Sequence, residues 1–174
     1  MKLLHCTQKL FKKLPEPLKK VDDLAPIEIT QGIGNWYANI FIANRKTHLL
    51  FTNEKTLYSF VIPEVRKKTF QNLSYAFIWH LELHLEYEKI NKTAIKKILS
   101  EHDSFIITKT NNKSVLGCMR YITYHFQHDF YKYPEMDEEK LFAVTKKNNG
   151  VPHKIKDYVF SIDLLRDFVK KKYS

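Results

Sequence analysis

The sequence predicts an α+β fold, in which one antiparallel β-meander sheet is packed by helices that are segregated from it along the chain. Aromatic and β-branched runs, separated by short polar turns, fill residues 36–62. Apolar residues at helical spacing follow at 65–89 and in several later segments. With 174 residues, 44% of them hydrophobic, the chain is large enough for one domain with its own core. We therefore expect residues 1–174 to form a single α+β domain.

The N-terminal residues predict a short strand and then a short helix. Leu3–Cys6 is an apolar run, and Thr7 can cap a helix because its hydroxyl can accept a free backbone N–H of the first turn. Pro15 and Pro17 end that helix, since proline lacks an N–H and does not fit inside a helix. Residues 15–34 are expected to form an ordered loop.

The next segment gives the clearest β signal. The apolar runs at 36–42, 48–51 and 57–62 are typical of strands, and polar turns at 44–46 and 53–55 separate them. Short turns between consecutive strands indicate an antiparallel meander.

Helices dominate the rest of the predicted fold. A long helix is expected at about 65–89, and Asn91 can cap another helix after it. A further strand at 105–108 precedes a helix at about 114–126. A C-terminal insert at 129–157, expected to be extended or a hairpin, leads to a final helix that Ser161 can cap.

The composition excludes several classes of protein. Only four glycines are present, too few for the glycine-rich phosphate loops of nucleoside triphosphatases or dinucleotide-binding proteins. The two cysteines have no metal-type spacing, and a chain of this size needs no disulfide, so we expect a cytoplasmic protein. No apolar run approaches the roughly 18 residues of a membrane span. No cofactor is expected.

The charge of the chain is strongly positive. Lys and Arg number 29 against 19 Asp and Glu, which gives a net charge of +10, and only four of the basic residues are arginine. Lysine contacts phosphate without base specificity, whereas bidentate recognition of bases favours arginine. A nucleic-acid-binding protein of this composition would contact the backbone more than the bases. The alternative is that the lysines only cover solvated helix surfaces.

One polar segment combines several groups suited to phosphate. Residues 108–114 join a strand end to a helix start, where free N–H groups and the helix dipole favour an anion. The alternative is an ordinary capped loop, with Ser114 as the cap. The residues predicted to contact phosphate are Lys109, Thr110, Asn111, Lys113, Ser114 and Arg120.

Four histidines are weak candidates for acid–base catalysis. His80 and His84 lie four residues apart on one helix face, and His125 and His128 lie near the end of another helix. The first pair is also a weak candidate for metal binding, although no third ligand is evident and we expect no metal. The alternative is that all four have structural roles.

Two further surfaces can be assigned from the pattern. Trp79 and Leu83 lie on the outer face of the 65–89 helix, where they could support a homodimer or a protein partner. The carboxylates of the C-terminal insert are expected to form a solvated acidic run: Asp129, Glu135, Asp137, Glu138 and Glu139.

Four segments carry a resemblance to a known family: Thr-Gln-Lys-Leu at 7–10, Trp-Tyr-Ala-Asn at 36–39, residues 50–59 and residues 109–117. Together they resemble a bacterial family classed as a domain of unknown function. The resemblance implies a family core at about 1–130, a C-terminal extension at 131–174 and a bacterial origin. It implies no activity.

Three hypotheses follow for function. The leading one is binding of an RNA or DNA backbone, supported by the net charge, the 108–114 segment and the aromatic side chains of Tyr131 and Tyr133. The second is a small hydrolase or ribonuclease that uses the histidines, as in the toxin of a toxin–antitoxin pair. The third is a module for protein interaction or dimerisation.

Overall fold

A computed structural model describes residues 2–15, 32–154 and 158–173, so most of the loop predicted at 15–34 lies outside the described residues. The strands are β1 (Lys2–Cys6), β2 (Trp36–Ala43), β3 (Lys46–Asn53), β4 (Ser59–Ile62), β5 (Phe105–Lys109), β6 (Pro152–Lys154) and β7 (Tyr158–Phe160). The helices are α1 (Gln8–Phe11), α2 (Lys67–Gln71), α3 (Leu73–Tyr87), α4 (Lys92–Ser100), α5 (Lys113–Lys132), α6 (Glu138–Asn149) and α7 (Ser161–Tyr173).

The main sheet has five strands in the order β4-β3-β2-β1-β5. Strands β2, β3 and β4 form the predicted antiparallel meander. Strand β1 is parallel to both of its neighbours, β2 and β5, so the complete sheet is mixed rather than purely antiparallel. Strands β6 and β7 form a separate antiparallel hairpin. The α+β class predicted from the sequence is confirmed.

The turn between β2 and β3 is a tight two-residue turn. Asn44 and Arg45 have φ angles of 49° and 62°, and the strands on either side pair from Ala43 with Lys46 onward. Two successive residues with positive φ match the twist of a hairpin, which explains why the meander closes here.

The turn between β3 and β4 is built around one buried asparagine. Asn53 Nδ2 donates to the carbonyls of Ile33 (3.1 Å) and Asn35 (3.3 Å). Its Oδ1 accepts from the backbone N–H of Lys55 (3.0 Å), and from both the N–H and the hydroxyl of Thr56 (3.0 Å each). The Asn53 side chain therefore fixes the turn and ties it to the chain that enters β2.

Helices pack on both faces of the sheet, because side chains alternate along each strand. On the first face, Leu4, Trp36 and Ala38 share a core with α1, α3, α4 and α7. On the second face, Tyr37 and Phe41 share a core with α5 and α6. No helix among the described residues combines the length and apolar character needed to cross a bilayer.

A buried histidine links the first-face core to α4. Trp36 Nε1 donates to His102 Nε2 at 2.9 Å, and the other ring nitrogen, Nδ1, lies 2.7 Å from the Ile98 carbonyl. Since Nε2 accepts a hydrogen bond, the proton of the neutral ring is on Nδ1, from which it is donated to Ile98. Both rings are fully buried.

Two helical predictions need correction. The helix expected at 65–89 is interrupted at Asn72, whose φ and ψ of −116° and 40° are not helical, and it becomes α2 and α3. The segment 129–157 contains α6 as well as a strand of the β6–β7 hairpin. Helix α6 forms because Asp137 caps it by accepting from the Lys140 N–H, and because Leu141 packs into the second-face core.

Candidate nucleic-acid interface

The candidate site lies where two neighbouring parallel strands end. Strand β1 leads into α1, which packs on the first face, whereas β5 leads into α5, which packs on the second face. The carboxyl ends of β1 and β5 therefore lie where successive connections diverge to opposite sides of the sheet. Such a topological switch point leaves a crevice, and in open α/β sheets ligands bind there.

A crevice of about 340 Å³ is found beside the end of β1. Thr7 follows β1, and Asn39 lies just beyond the residues of β2 that pair with β1. The remaining wall is one side of α5. Its lining residues are Thr7, Asn39, Leu116, Met119, Arg120, Thr123, Tyr124 and Gln127.

A chain of hydrogen bonds fixes the polar side of this crevice. The Thr7 hydroxyl donates to Asn39 Oδ1 at 2.9 Å, and Asn39 Nδ2 lies 3.3 Å from the Thr123 hydroxyl, to which it donates. The Thr123 hydroxyl donates in turn to the Met119 carbonyl at 2.7 Å. These bonds set the orientation of the Asn39 amide and use one of its two N–H donors.

A second group of contacts supports the strand ends beneath the site. His5 Nδ1 lies 3.2 Å from the Lys109 carbonyl, and the His5 ring stacks on Tyr37 with 4.6 Å between centroids. The Tyr37 hydroxyl donates to Asn111 Oδ1 at 2.8 Å. Burial lowers the pKa of His5 and raises the pKa of Tyr37, so both are neutral at physiological pH. The contacts join β1, β2 and the β5–α5 connection.

The predicted phosphate residues are divided between structural and exposed positions. Asn112, not Ser114, caps α5: its Oδ1 accepts from the N–H groups of Ser114 (3.0 Å) and Val115 (3.2 Å). The Lys109 ammonium lies 5.7 Å from the centroid of the Phe11 ring. Thr110 is half-buried, and the Asn111 side chain is engaged by Tyr37 as described above. Lys113, Ser114 and Arg120 are exposed on α5.

The exposed side of α5, called the α5 face below, is basic and aromatic. It consists of Lys113, Ser114, Gly117, Arg120, Tyr121, Tyr124, His128, Tyr131 and Lys132. Tyr121, Tyr124 and Tyr131 are 48%, 65% and 55% exposed. Gly117 is open to solvent, since nothing lies within 4 Å of where a Cβ would stand.

The only carboxylate within α5, Asp129, is buried, so the predicted solvated acidic run does not include it. Lys147 Nζ donates to Asp129 Oδ1 at 2.6 Å, and Asn148 Nδ2 donates to Oδ2 at 2.9 Å. Both partners belong to α6, and they compensate the desolvated charge. As a result, α5 presents no negative charge to solvent. The other four carboxylates of the run, which lie beyond the end of α5, are exposed.

Comparison with known proteins adds one result. A family model described as Domain of unknown function (DUF6933) matches residues 3–164. The chain belongs to the DUF6933 family. The match extends well past residue 130, so the family region includes α6 and the start of α7. No curated protein and no solved structure matches the chain.

In this DUF6933 chain the four predicted histidines lie on two different faces. His80 and His84 are on α3, which packs on the first face, whereas His125 and His128 are on α5, which packs on the second. Burial lowers the pKa of His80 to about 4 and that of His84 to about 3. The described residues contain no cluster of three or more His, Cys, Asp or Glu side chains that could hold a metal ion.

His125 has a neighbour that sequence spacing did not indicate. The Tyr121 ring lies 4.4 Å from the His125 ring and 6.2 Å from the ring of His153, which comes from β6. His153 is buried. Its pKa is lowered mainly by burial and to a smaller extent by the nearby His125. His128 is exposed, with Nδ1 3.9 Å from Asp129 Oδ1. The α3 surface predicted to dimerise has Trp79 half-exposed and Leu83 half-buried.

Several residues of the site in the DUF6933 chain were not among the predicted site residues. Asn39, Thr123 and Gln127 became evident only when β2 and α5 were placed side by side. Tyr121 and Tyr124 had a detectable signal, because with Arg120 they recur at helical spacing on the side opposite the apolar stripe.

Proposed function

We propose that the protein binds single-stranded RNA or DNA along the α5 face, mainly through the nucleic-acid backbone. The observation that carries this proposal is the chemistry of α5. All of its exposed charged side chains are basic, three exposed tyrosines lie between Arg120 and Lys132, and its one carboxylate is buried. Basic groups interleaved with aromatic rings characterise surfaces that bind single strands.

The basic residues supply the sequence-independent part of the interaction. Lys113, Arg120 and Lys132 are spread along α5 over about 28 Å, at a rise of about 1.5 Å per residue. Each can neutralise a phosphate and release its counterion, which gives binding that weakens with salt. Burial of Asp129 removes the one charge within the helix that would repel the strand. The exposed carboxylates beyond residue 134 limit the proposed path at that end.

The tyrosines favour a single strand over a duplex. An exposed tyrosine ring can stack on an unpaired base, and stacking of this kind contributes about 1–3 kcal/mol per base. In a duplex the base faces are already stacked on one another and are not accessible to a side chain. We place this activity in the cytoplasm, where the free thiols of Cys6 and Cys118 would remain reduced.

The first test is fluorescence anisotropy with labelled single-stranded and duplex oligonucleotides over a series of salt concentrations. We expect the single strand to bind more tightly, with log K falling linearly with log salt. The double substitution Lys113→Gln and Arg120→Gln should reduce the steepness of this dependence by about two phosphate contacts. The matched control is Lys96→Gln with Lys97→Gln, two exposed lysines of α4, which packs on the first face.

Three results would contradict the proposal. They are absence of binding at low salt, binding that does not respond to salt, and equal losses in the α5 and α4 double variants. The last would show that only the net charge matters, and that the lysines cover a solvated surface without a defined binding face.

A further inference from the structure

We propose that the crevice between Thr7, Asn39 and α5 binds one nucleotide of the strand, with the base inside and its phosphate at Arg120. This inference rests on the proposed function and assigns a specific site within it. It adds that one base is withdrawn from the strand, whereas the α5 face alone would contact only phosphates and the outer faces of bases.

The position of the crevice favours a bound ligand. It opens beside the carboxyl end of β1, one of the two strands at the switch point, and is bounded by β2 and α5. Three of the segments that carry the family resemblance meet around it: 7–10 contributes Thr7, 36–39 contributes Asn39, and 109–117 contributes Leu116. Arg120 and Tyr124 belong both to the crevice and to the α5 face, so a strand that follows α5 passes its mouth.

The lining matches the two chemical parts of a nucleotide. Leu116 and Met119 form an apolar wall suited to the face of a base, and the Tyr124 ring stands at the exposed side of the crevice, where it can stack. Arg120 supplies a guanidinium, which binds phosphate oxygens in bidentate geometry. None of the described residues that line the crevice is a carboxylate that would repel an anion.

Fixed amide groups are available for the edge of the base. Asn39 keeps a second N–H donor after its bond to Thr123, and its orientation is set by Thr7. Gln127 Nε2 donates to the Ile42 carbonyl at 2.8 Å, which leaves its Oε1 as an acceptor at the crevice. A donor and an acceptor together match the edges of unpaired bases, which carry both types of group.

The dimensions and chemistry exclude other ligand classes. Ligand pockets span about 300–1,000 Å³, and a volume of about 340 Å³ lies at the small end, which suits one nucleotide and not a dinucleotide cofactor. The described residues that line the crevice include no carboxylate, imidazole or thiolate, so they do not offer the ligands of a divalent cation.

The first arm of the test uses mononucleotides without any strand. Adenosine and uridine 5′-monophosphates are titrated into ¹⁵N-labelled protein, and the side-chain amide signals of Asn39 and Gln127 are followed. We expect both signals to shift saturably with at least one nucleotide. Ribose 5-phosphate, which lacks the base, and the nucleosides, which lack the phosphate, should each bind at least tenfold more weakly.

The second arm fills the crevice. Leu116→Trp places a larger side chain in the crevice wall and should weaken binding of a single-stranded oligonucleotide at least tenfold. This is the effect expected when one stacked base is lost, because about 1.4 kcal/mol corresponds to a factor of ten in affinity. Leu99→Trp is the matched control, because Leu99 is a half-buried leucine of α4 on the first face. It should change affinity less than twofold.

A third variant, Thr123→Val, keeps the shape of the side chain but removes the hydroxyl that anchors Asn39. It should weaken mononucleotide binding even if Leu116→Trp fails to fold. Strand binding with the expected salt dependence, but unchanged in Leu116→Trp and Thr123→Val and without mononucleotide shifts, would overturn this inference and leave the proposed function intact. Absence of any strand binding by the unmodified protein would overturn the proposed function itself, whatever the mononucleotides do.

Discussion

Acidification from about pH 7.5 to about pH 5.5 should lower the free energy of unfolding by on the order of 3 kcal/mol. The lower value is one unit below the ordinary histidine pKa of about 6.5. Two deeply buried histidines are responsible. Burial lowers the pKa of His84 to about 3 and that of His102 to about 4. Between about pH 7.5 and 5.5 the unfolded chain takes up a proton at each of these histidines that the folded protein does not, so each lowers the free energy of unfolding by about 1.4 kcal/mol.

The environment of each ring explains why its pKa is lowered. His84 packs against Phe60 and Phe142, where a positive charge would be desolvated. His102 accepts the Trp36 N–H at Nε2, so a proton on that nitrogen would break the bond and place two donors against each other. Stability is therefore fully present above about pH 6.5 and is lost progressively as the pH falls toward the folded-state values. Burial also lowers the pKa of His5, His48, His80 and His153, which adds to the effect.

Urea unfolding followed by tryptophan fluorescence, repeated at several pH values, measures this dependence. His84→Leu should reduce the loss between about pH 7.5 and 5.5 by about 1.4 kcal/mol, because leucine fills the apolar site and does not titrate. The control is His128→Leu, at an exposed position, which should leave the pH dependence unchanged. Equal acid sensitivity in the unmodified protein and in His84→Leu would show that this imidazole is not the titrating group.

Asn53→Ala should destabilise the protein by about 3 kcal/mol or more, since it removes five hydrogen bonds made by a side chain with no exposed surface. The substitution leaves the Ile33 carbonyl and the Thr56 N–H without this partner at buried positions. Buried polar groups that lose their partners cost far more than a solvated hydrogen bond contributes.

The midpoint of urea unfolding measures this loss. Asn72→Ala is the matched control, because Asn72 is exposed and donates to the Lys68 carbonyl within its own helical turn. It should change stability by no more than about 0.5 kcal/mol. A loss at Asn53 as small as that at Asn72 would mean that water replaces the side chain in the turn, contrary to the burial seen here.

The parts of the fold that depend on local interactions were predictable. The meander follows from apolar runs and a turn at Asn44 and Arg45, and Thr7 and Asn91 cap helices as expected. The parallel placement of β1 between β2 and β5 was not predictable, because it joins residues about a hundred positions apart and is independent of any turn. Helix α6 was missed because its cap and its few apolar residues lie within a polar segment.

The candidate site, like the fold, has parts that were predictable from the local sequence and parts that were not. The polar segment at 108–114 was found because its residues are consecutive, yet its side chains serve partly to support the strand ends. Asn39 and Thr123 are 84 residues apart, so their contact depends on the topology of the sheet. The burial of Asp129 depends on Lys147 and Asn148, in a helix that the charge pattern did not predict.

The short pairing of β1 with β2 has a consequence for solubility. β1 pairs with residues 36–38 of β2, and in the part of the chain that the structure describes no other strand pairs with the distal half of β2 on that side. An unpaired strand edge is a template on which a second molecule can add and begin to aggregate. Here Gln127 Nε2 and the Tyr131 hydroxyl donate to the Ile42 carbonyl, at 2.8 and 3.3 Å, and occupy one acceptor of that edge. Helix α5 therefore protects β2 from pairing between molecules, so mutations that loosen this helix carry a risk of aggregation even where the fold survives.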